Sequence, residues 1–290
     1  MHCVLLLLAI ALALVLRVGL SQLMPMGDRA WNGRWQLTLA NFLLPPLAIA
    51  FTALAVLYMG SHGHMLGAPV GKVGYGLAAA IVAVTVGLFA YLGWQSGRSQ
   101  QQVRRLPRLT LQKNPVRQLE TAVPFAAQIG LWRSELVVSQ GLLDTLSAAQ
   151  LEAVLAHEAA HRYYHDTVCF FWLGGVRRLT TWLPQTEALW QELIFLRELR
   201  ADRWAANRID PLLLAESLVQ VAQAAVAPPG DCWALLTDRT QVERLEERID
   251  ALMRDLPLEG MAEGPAHFPW LWFCRLAIGL PLLTIPFHTF

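Results

Sequence analysis

Apolar residues fall in three long runs in the first third of the chain, roughly 3–20, 37–59 and 74–94, with few polar residues inside them. Each run approaches the ~20 residues that a helix needs to cross a bilayer core. Three membrane-spanning helices are therefore expected. No basic residue precedes the first run, which favours a retained anchor over a cleaved signal peptide. Pro45 and Pro46 predict a kink in the second helix, and Trp31, Trp35 and Trp94 near the run ends suit an interfacial belt. A fourth apolar stretch, 267–290, contains Arg275 and prolines, so it is expected to be a transmembrane or a membrane-associated helix.

Between these runs the pattern is that of a mixed soluble domain. The expected division is 1–95 for three spans, 96–265 for the domain and 266–290 for the last helix. Within the domain, LWRSELVV at 131–138 reads as a strand, Gly141 as the turn after it, and the rest as helices. Pro228 to Gly230 marks a break. The basic cluster Arg98, Arg104, Arg105, Arg108, Lys113 and Arg117 directly follows the third run, which predicts a cytosolic domain in the cell (inner) membrane. Counting back puts the N-terminus outside, the loop with Arg29 and Arg34 inside, and the loop with Lys72 outside.

Composition agrees with a membrane protein: 55% of the 290 residues are hydrophobic and only 16% charged. The net charge of +1 gives no field for binding phosphates, so no direct nucleic-acid partner is expected. Cys3, Cys169, Cys232 and Cys274 are too scattered for a redox or zinc pair, and His62 and His64 in a glycine-rich loop supply too few ligands for a metal.

The chemistry concentrates in one helix. SAAQ at 147–150 forms a capping box, and LEAVLAHEAAH follows. His157 and His161, four residues apart, project from one helical face and can share one ion. Two neutral imidazoles leave zinc an open position for water, and Glu158 can take the proton from that water and return it to a leaving amine. A third ligand is sought in WQELIFLRELRADRWAAN. Glu198 is the choice, with Asp202 four residues on to fix a ligand imidazole from behind. Glu192 and Glu187 are rivals, and an ordinary ion-pairing face with Arg197, Arg200 or Arg203 is the plain alternative. Asp166 either supports the histidines or ends the helix, while Tyr163, Tyr164 and His165 either reach the cleft or face solvent. The amphipathic helix TQVERLEERIDALM, with a capping box at Thr240 and Glu243, reads as core packing.

PFAAQIGLWRSELVVSQGLLDTLS, HEAAHRYYHD, TWLP at 181–184 and ELRAD, together spanning residues 124–206, resemble the transmembrane metallopeptidases of the BlaR/MecR type, which release repressors in the response to β-lactams. The resemblance implies a mainly α, multi-span protein with a cytosolic zincin-like (gluzincin) α+β domain. It implies one zinc on His157, His161 and Glu198, with Glu158 as base and Asp202 behind a ligand, and a protein or peptide substrate such as a repressor. It says nothing of oligomeric state. There is no room after the fourth run for a penicillin-binding sensor, so β-lactam sensing is not expected. Heat-shock and CAAX-type membrane proteases share HExxH and ExxxD and would imply quality control or processing. A catalytically silent sensor would keep the zinc fold but would not need Glu158. Zinc peptidases of the resembled kind hold an extended substrate beside an edge strand, a role expected here of LWRSELVV.

Overall fold

The computed structural model describes residues 1–22, 31–65, 68–112, 114–225, 239–254 and 288–289. In chain order the elements are α1 (His2–Gln22), α2 (Trp31–Met59), β1 (His64–Met65), β2 (Ala68–Pro69), α3 (Lys72–Arg105), β3 (Arg108–Leu111), β4 (Asn114–Leu119), β5 (Ala126–Ile129), β6 (Glu135–Ser139), α4 (Gln140–Thr145), α5 (Ala148–Tyr163), α6 (Asp166–Leu179), α7 (Thr186–Ala206), α8 (Pro211–Ala225), α9 (Arg239–Met253) and β7 (His288–Thr289). They form two compact units: Met1–Leu92 with Leu173–Leu193 and Glu259–Phe290, and Gly93–Trp172 with Ile194–Leu258.

The first unit contains α1, α2 and most of α3, the three helices long and apolar enough to cross a membrane. Small residues let them approach closely. Leu6, Ala53, Ala55, Val56, Met59 and Ala78 form one buried cluster, and a Cβ on Gly74 would stand 2.5 Å from that of His2. Leu7, Leu8, Val15, Val84 and Val86 point away from this packing, as a lipid-facing surface requires. α2 stays a single helix through Pro45 and Pro46.

The end of α6 and the start of α7, residues 173–193, also belong to this unit. The cause is aromatic packing. Gly175 lies so close to Phe89 that a Cβ would come within 2.3 Å of its ring, and Trp190 packs on Phe42 at 6.3 Å between centroids. The apolar stretch 267–290 lies outside the described residues except for β7, which pairs with β1. Pro228 to Gly230 and the side chains of Thr240 and Glu243 also lie outside them.

The second unit is built on a four-stranded sheet of order β3-β4-β6-β5. The β4–β6 pair is parallel and the other two pairs are antiparallel. The strand expected across 131–138 runs from Glu135 to Ser139, and it is interior, between β4 and β5, so the edges are β3 and β5, of which β5 is the one beside it. Gly141 lies in α4 rather than in a turn; its missing side chain leaves room for the Ala122 carbonyl, 2.0 Å from where a Cβ would sit. Strands β3, β4 and β5, four to six residues each, were not anticipated. They are short, and only β3, Arg-Leu-Thr-Leu, shows a clear alternation. Arg117 in β4 is buried only because Glu135 and the carbonyls of Arg104 and Leu106 satisfy its guanidinium, at 2.5, 3.0 and 2.9 Å.

α5 lies on this sheet through Val154 and Leu155, which join Val116, Val138, Leu142 and Leu146. Its other flank packs through Ala153 against Ala205, Leu214, Ala215 and Leu252 of α7, α8 and α9. α5 is thus fixed on two sides.

Candidate metal centre

The cap of α5 has the expected form: the Ser147 side chain accepts from the Gln150 N–H, and the Gln150 side chain accepts from the Ser147 N–H. This sets the start of the helix and hence its rotation. His157, Glu158 and His161 are then all buried. The two imidazoles meet edge to face, with their Nε2 atoms 3.1 Å apart. Glu198 from α7 brings Oε2 to 3.3 Å from His157 Nε2 and Oε1 to 3.7 Å from His161 Nε2.

Each imidazole is backed by a carboxylate, and each carboxylate by an arginine. His161 Nδ1 lies 2.8 Å from Asp166 Oδ2, and Asp166 in turn pairs with Arg200. Between α5 and α6, His165 takes a left-handed conformation, φ +54, where the chain turns into the helix that carries Asp166. His157 Nδ1 lies 2.9 Å from Asp202 Oδ1, at ion-pair distance although off the line of a hydrogen bond. Arg248 of α9 grips both oxygens of Asp202, at 2.6 and 2.8 Å, and reaches within 3.6 Å of Glu198.

These contacts determine the electrostatics. Carboxylates beside both Nδ1 atoms favour the proton there, so whenever the two imidazoles are neutral both Nε2 lone pairs turn toward each other and toward Glu198. Three electron-rich atoms facing one point repel unless a cation lies among them. Burial works against charge on His157, but Asp202 and Glu198 outweigh it and hold the imidazolium up to about 10. Burial likewise opposes charge on the two acids, yet Glu198 is held well below the usual carboxylate range by His157, Arg197 and Arg248. Asp202 is held down by Arg248 and His157, and Arg248 is correspondingly held up against burial by Asp202 and Glu198.

The donor set fits zinc. Two imidazole nitrogens and a carboxylate oxygen lie within 4.8 Å of one another. The 3.1 Å between the nitrogens is near the ~3.3 Å expected for two ligands of one tetrahedral zinc. One coordination position is left over.

The rivals of Glu198 are engaged elsewhere: Glu192 pairs with Arg34 at 2.7 Å and Glu187 with Arg177 at 2.7 Å, both in the first unit. The ion-pairing alternative for Glu198 is also partly realised, since Arg197 contacts its Oε1 at 2.6 Å. Tyr163 and His165 face solvent, and Tyr164 lies under the Arg200 guanidinium at 4.1 Å. Asp166, Arg200 and Arg248 are the site residues that the sequence reading left open or passed over. The signal for Arg248 was its position: four residues before the buried Leu252, it lies on the inward face of α9.

The edge strand β5 is tied to this helix, because Gln128 Nε2 donates to the Glu158 carbonyl at 3.3 Å. Among the described residues no strand pairs with the outer side of β5, so an open strand edge runs beside HEAAH.

Residues 94–227 match the model of Peptidase family M48. No curated protein and no solved structure matches the chain. The matched stretch includes α5, α6, α7 and the His157–His161–Glu198 cluster, while Arg248 lies beyond it. The match does not extend to the narrower BlaR/MecR assignment. It supports a protease of the zinc-dependent M48 type, with three apolar helices in the same chain compatible with membrane association.

Proposed function

We propose that the chain is a membrane-integral zinc endopeptidase whose active site faces the cytosol and whose substrate is a regulatory protein such as a transcriptional repressor. The observation that carries this reading is the convergence of the His157 and His161 Nε2 atoms and the Glu198 carboxylate on one buried point. Those three residues would hold one zinc, with Asp202 and Asp166 fixing the imidazoles. When bound, zinc supplies Lewis acidity, which polarises a carbonyl and makes a nearby water acidic.

The remaining work falls to the chain. Glu158, next to His157 and buried, takes a proton from the attacking water onto its carboxylate and delivers it to the departing amine nitrogen. The free edge of β5 receives an extended substrate through backbone hydrogen bonds, with side-chain pockets adding selectivity. A silent sensor would not need an acid at position 158, and a purely structural zinc site would close its fourth position with a protein ligand. The basic residues from Arg98 to Arg117 support a cytosolic domain. Pairing of β7 with β1, in the loop expected outside, supports a final crossing after that domain.

Glu158→Gln in the full-length protein tests the reading. Zinc and peptide binding should persist while turnover is lost, and proteomics should show fragments that disappear in the variant. Repressor fragments support the regulatory role, whereas fragments of misfolded or prenylated membrane proteins favour the heat-shock or CAAX-type reading. Full peptidase activity in Glu158→Gln would refute the mechanism.

A further inference from the structure

β5 and β6 are joined by residues 130–134, and at the tip Trp132 is 75% exposed with Arg133 exposed beside it. An indole in water leaves a large apolar surface uncovered, and tryptophan favours the membrane–water interface. The tip is firmly mounted. Gln100 Nε2 of α3 donates to the Arg133 carbonyl at 2.9 Å, and Thr167 Oγ1 donates to the Leu131 carbonyl at 3.4 Å. Gly130 permits the close approach: at φ +124, a Cβ there would stand 2.8 Å from the Arg133 carbonyl and 3.2 Å from Gln100 Nε2.

The height of the mount is set by α3. Trp94 closes the apolar run, is 57% exposed and lies beneath the Arg98 guanidinium at 4.8 Å. Gln100 is six residues further along the same helix, a rise of about 9 Å, which is headgroup depth if Trp94 marks the interface. Arg98, two residues before Gln100, and Arg133 at the tip are exposed near this level, Arg105 follows about one turn further out, and the nearby Glu135 is engaged by Arg117 and Arg104. Such a surface complements an anionic headgroup layer.

We propose that the β5–β6 turn is a membrane-interface anchor, in which Trp132 and Arg133 sit among anionic phospholipid headgroups where α3 leaves the bilayer. This rests on the reading of α3 as a span. The anchor acts on the site through β5: Gln128, which holds the Glu158 carbonyl, is four residues from Trp132, just before the chain bends at Gly130. The anchor therefore fixes the height of the edge strand above the bilayer and directs the enzyme to peptide bonds held near the membrane surface.

The test is the depth of a spin label at Trp132→Cys, in full-length protein with its native cysteines replaced by serine, reconstituted into nanodiscs containing phosphatidylglycerol. Val84→Cys in α3 serves as the lipid reference and Ala149→Cys at the exposed start of α5 as the water reference. Collision with oxygen relative to a water-soluble nickel chelate should be at least roughly twofold higher at 132 than at 149, as for an interfacial side chain. The ratio should fall in discs of phosphatidylcholine alone. The native side chain is read separately, since brominated lipid should quench more emission in the parent protein than in Trp132→Phe. A label at 132 that matches 149, with equal quenching in both proteins, overturns the anchor. If Val84 also reads as water, the span itself is refuted.

Discussion

His157 and His161 differ in how their supports are supplied, and this makes the site testable residue by residue. Asp166 is the first residue of α6, close in sequence to α5, whereas Asp202 comes from α7 and depends on Arg248 of α9. Asp202→Asn and Asp166→Asn should each weaken zinc affinity or activity about 10- to 100-fold without abolishing binding, as read by chelator competition. An unchanged affinity would make these carboxylates mere ion-pair partners. Arg248→Met leaves the buried Asp202 charge without its main partner, so thermal stability should fall by about 3–5 kcal/mol, and Asp202→Asn in the same chain should restore part of it. The pH dependence has a definite sign. In metal-free protein the folded His157 is raised from 6.5 to about 10, so the stability it contributes is complete below about 6.5 and is lost as pH rises toward 10. Zinc competes with the same proton, so its affinity should increase with pH over that window, measured by titration calorimetry. The histidines and Glu198 were readable because helical spacing and carboxylate chemistry are local. Arg248 was not, because charge on an amphipathic helix looks solvated until its neighbours are known.

At the level of elements, the strand at 135–139 was legible from its branched residues, but its place in the sheet was not. β3, β4 and β5 are short and carry polar side chains, so only their long-range pairing reveals β6 as interior. The correction changes the mutational test. Ser139 N–H donates to the Phe125 carbonyl, which marks that pair as hydrogen-bonded; by alternation Ala127 faces β6, while the Ala126 and Gln128 N–H groups face outward. Ala126→Pro should therefore leave fold and zinc intact while reducing peptide turnover by roughly tenfold or more through loss of an edge donor. Val137→Pro, in the interior strand, should break the sheet and lose zinc with it. Equal zinc loss in both variants would show that β5 serves only the fold.

For the whole molecule, hydropathy made the three apolar helices legible, since length and composition alone define them. It gave no sign that 173–193 joins them, because that stretch mixes Arg177, Arg178, Glu187 and Glu192 with its aromatics. Arg34 with Glu192 and Arg177 with Glu187 neutralise much of that charge, and Arg177 also lies over the Trp190 ring at 5.2 Å. Orientation follows from the basic cluster alone, so impermeant thiol reagent applied from outside should label His62→Cys and not Ala149→Cys; the reverse pattern would overturn the topology. Beneath all of this lies one claim, that His157, His161 and Glu198 hold zinc. Zinc content per chain of the purified full-length protein, compared among the parent, Glu198→Gln and Glu192→Gln, tests it most directly. One zinc in the parent, largely lost in Glu198→Gln and kept in Glu192→Gln, is the predicted result; a parent without zinc, or loss in Glu192→Gln but not in Glu198→Gln, would contradict it.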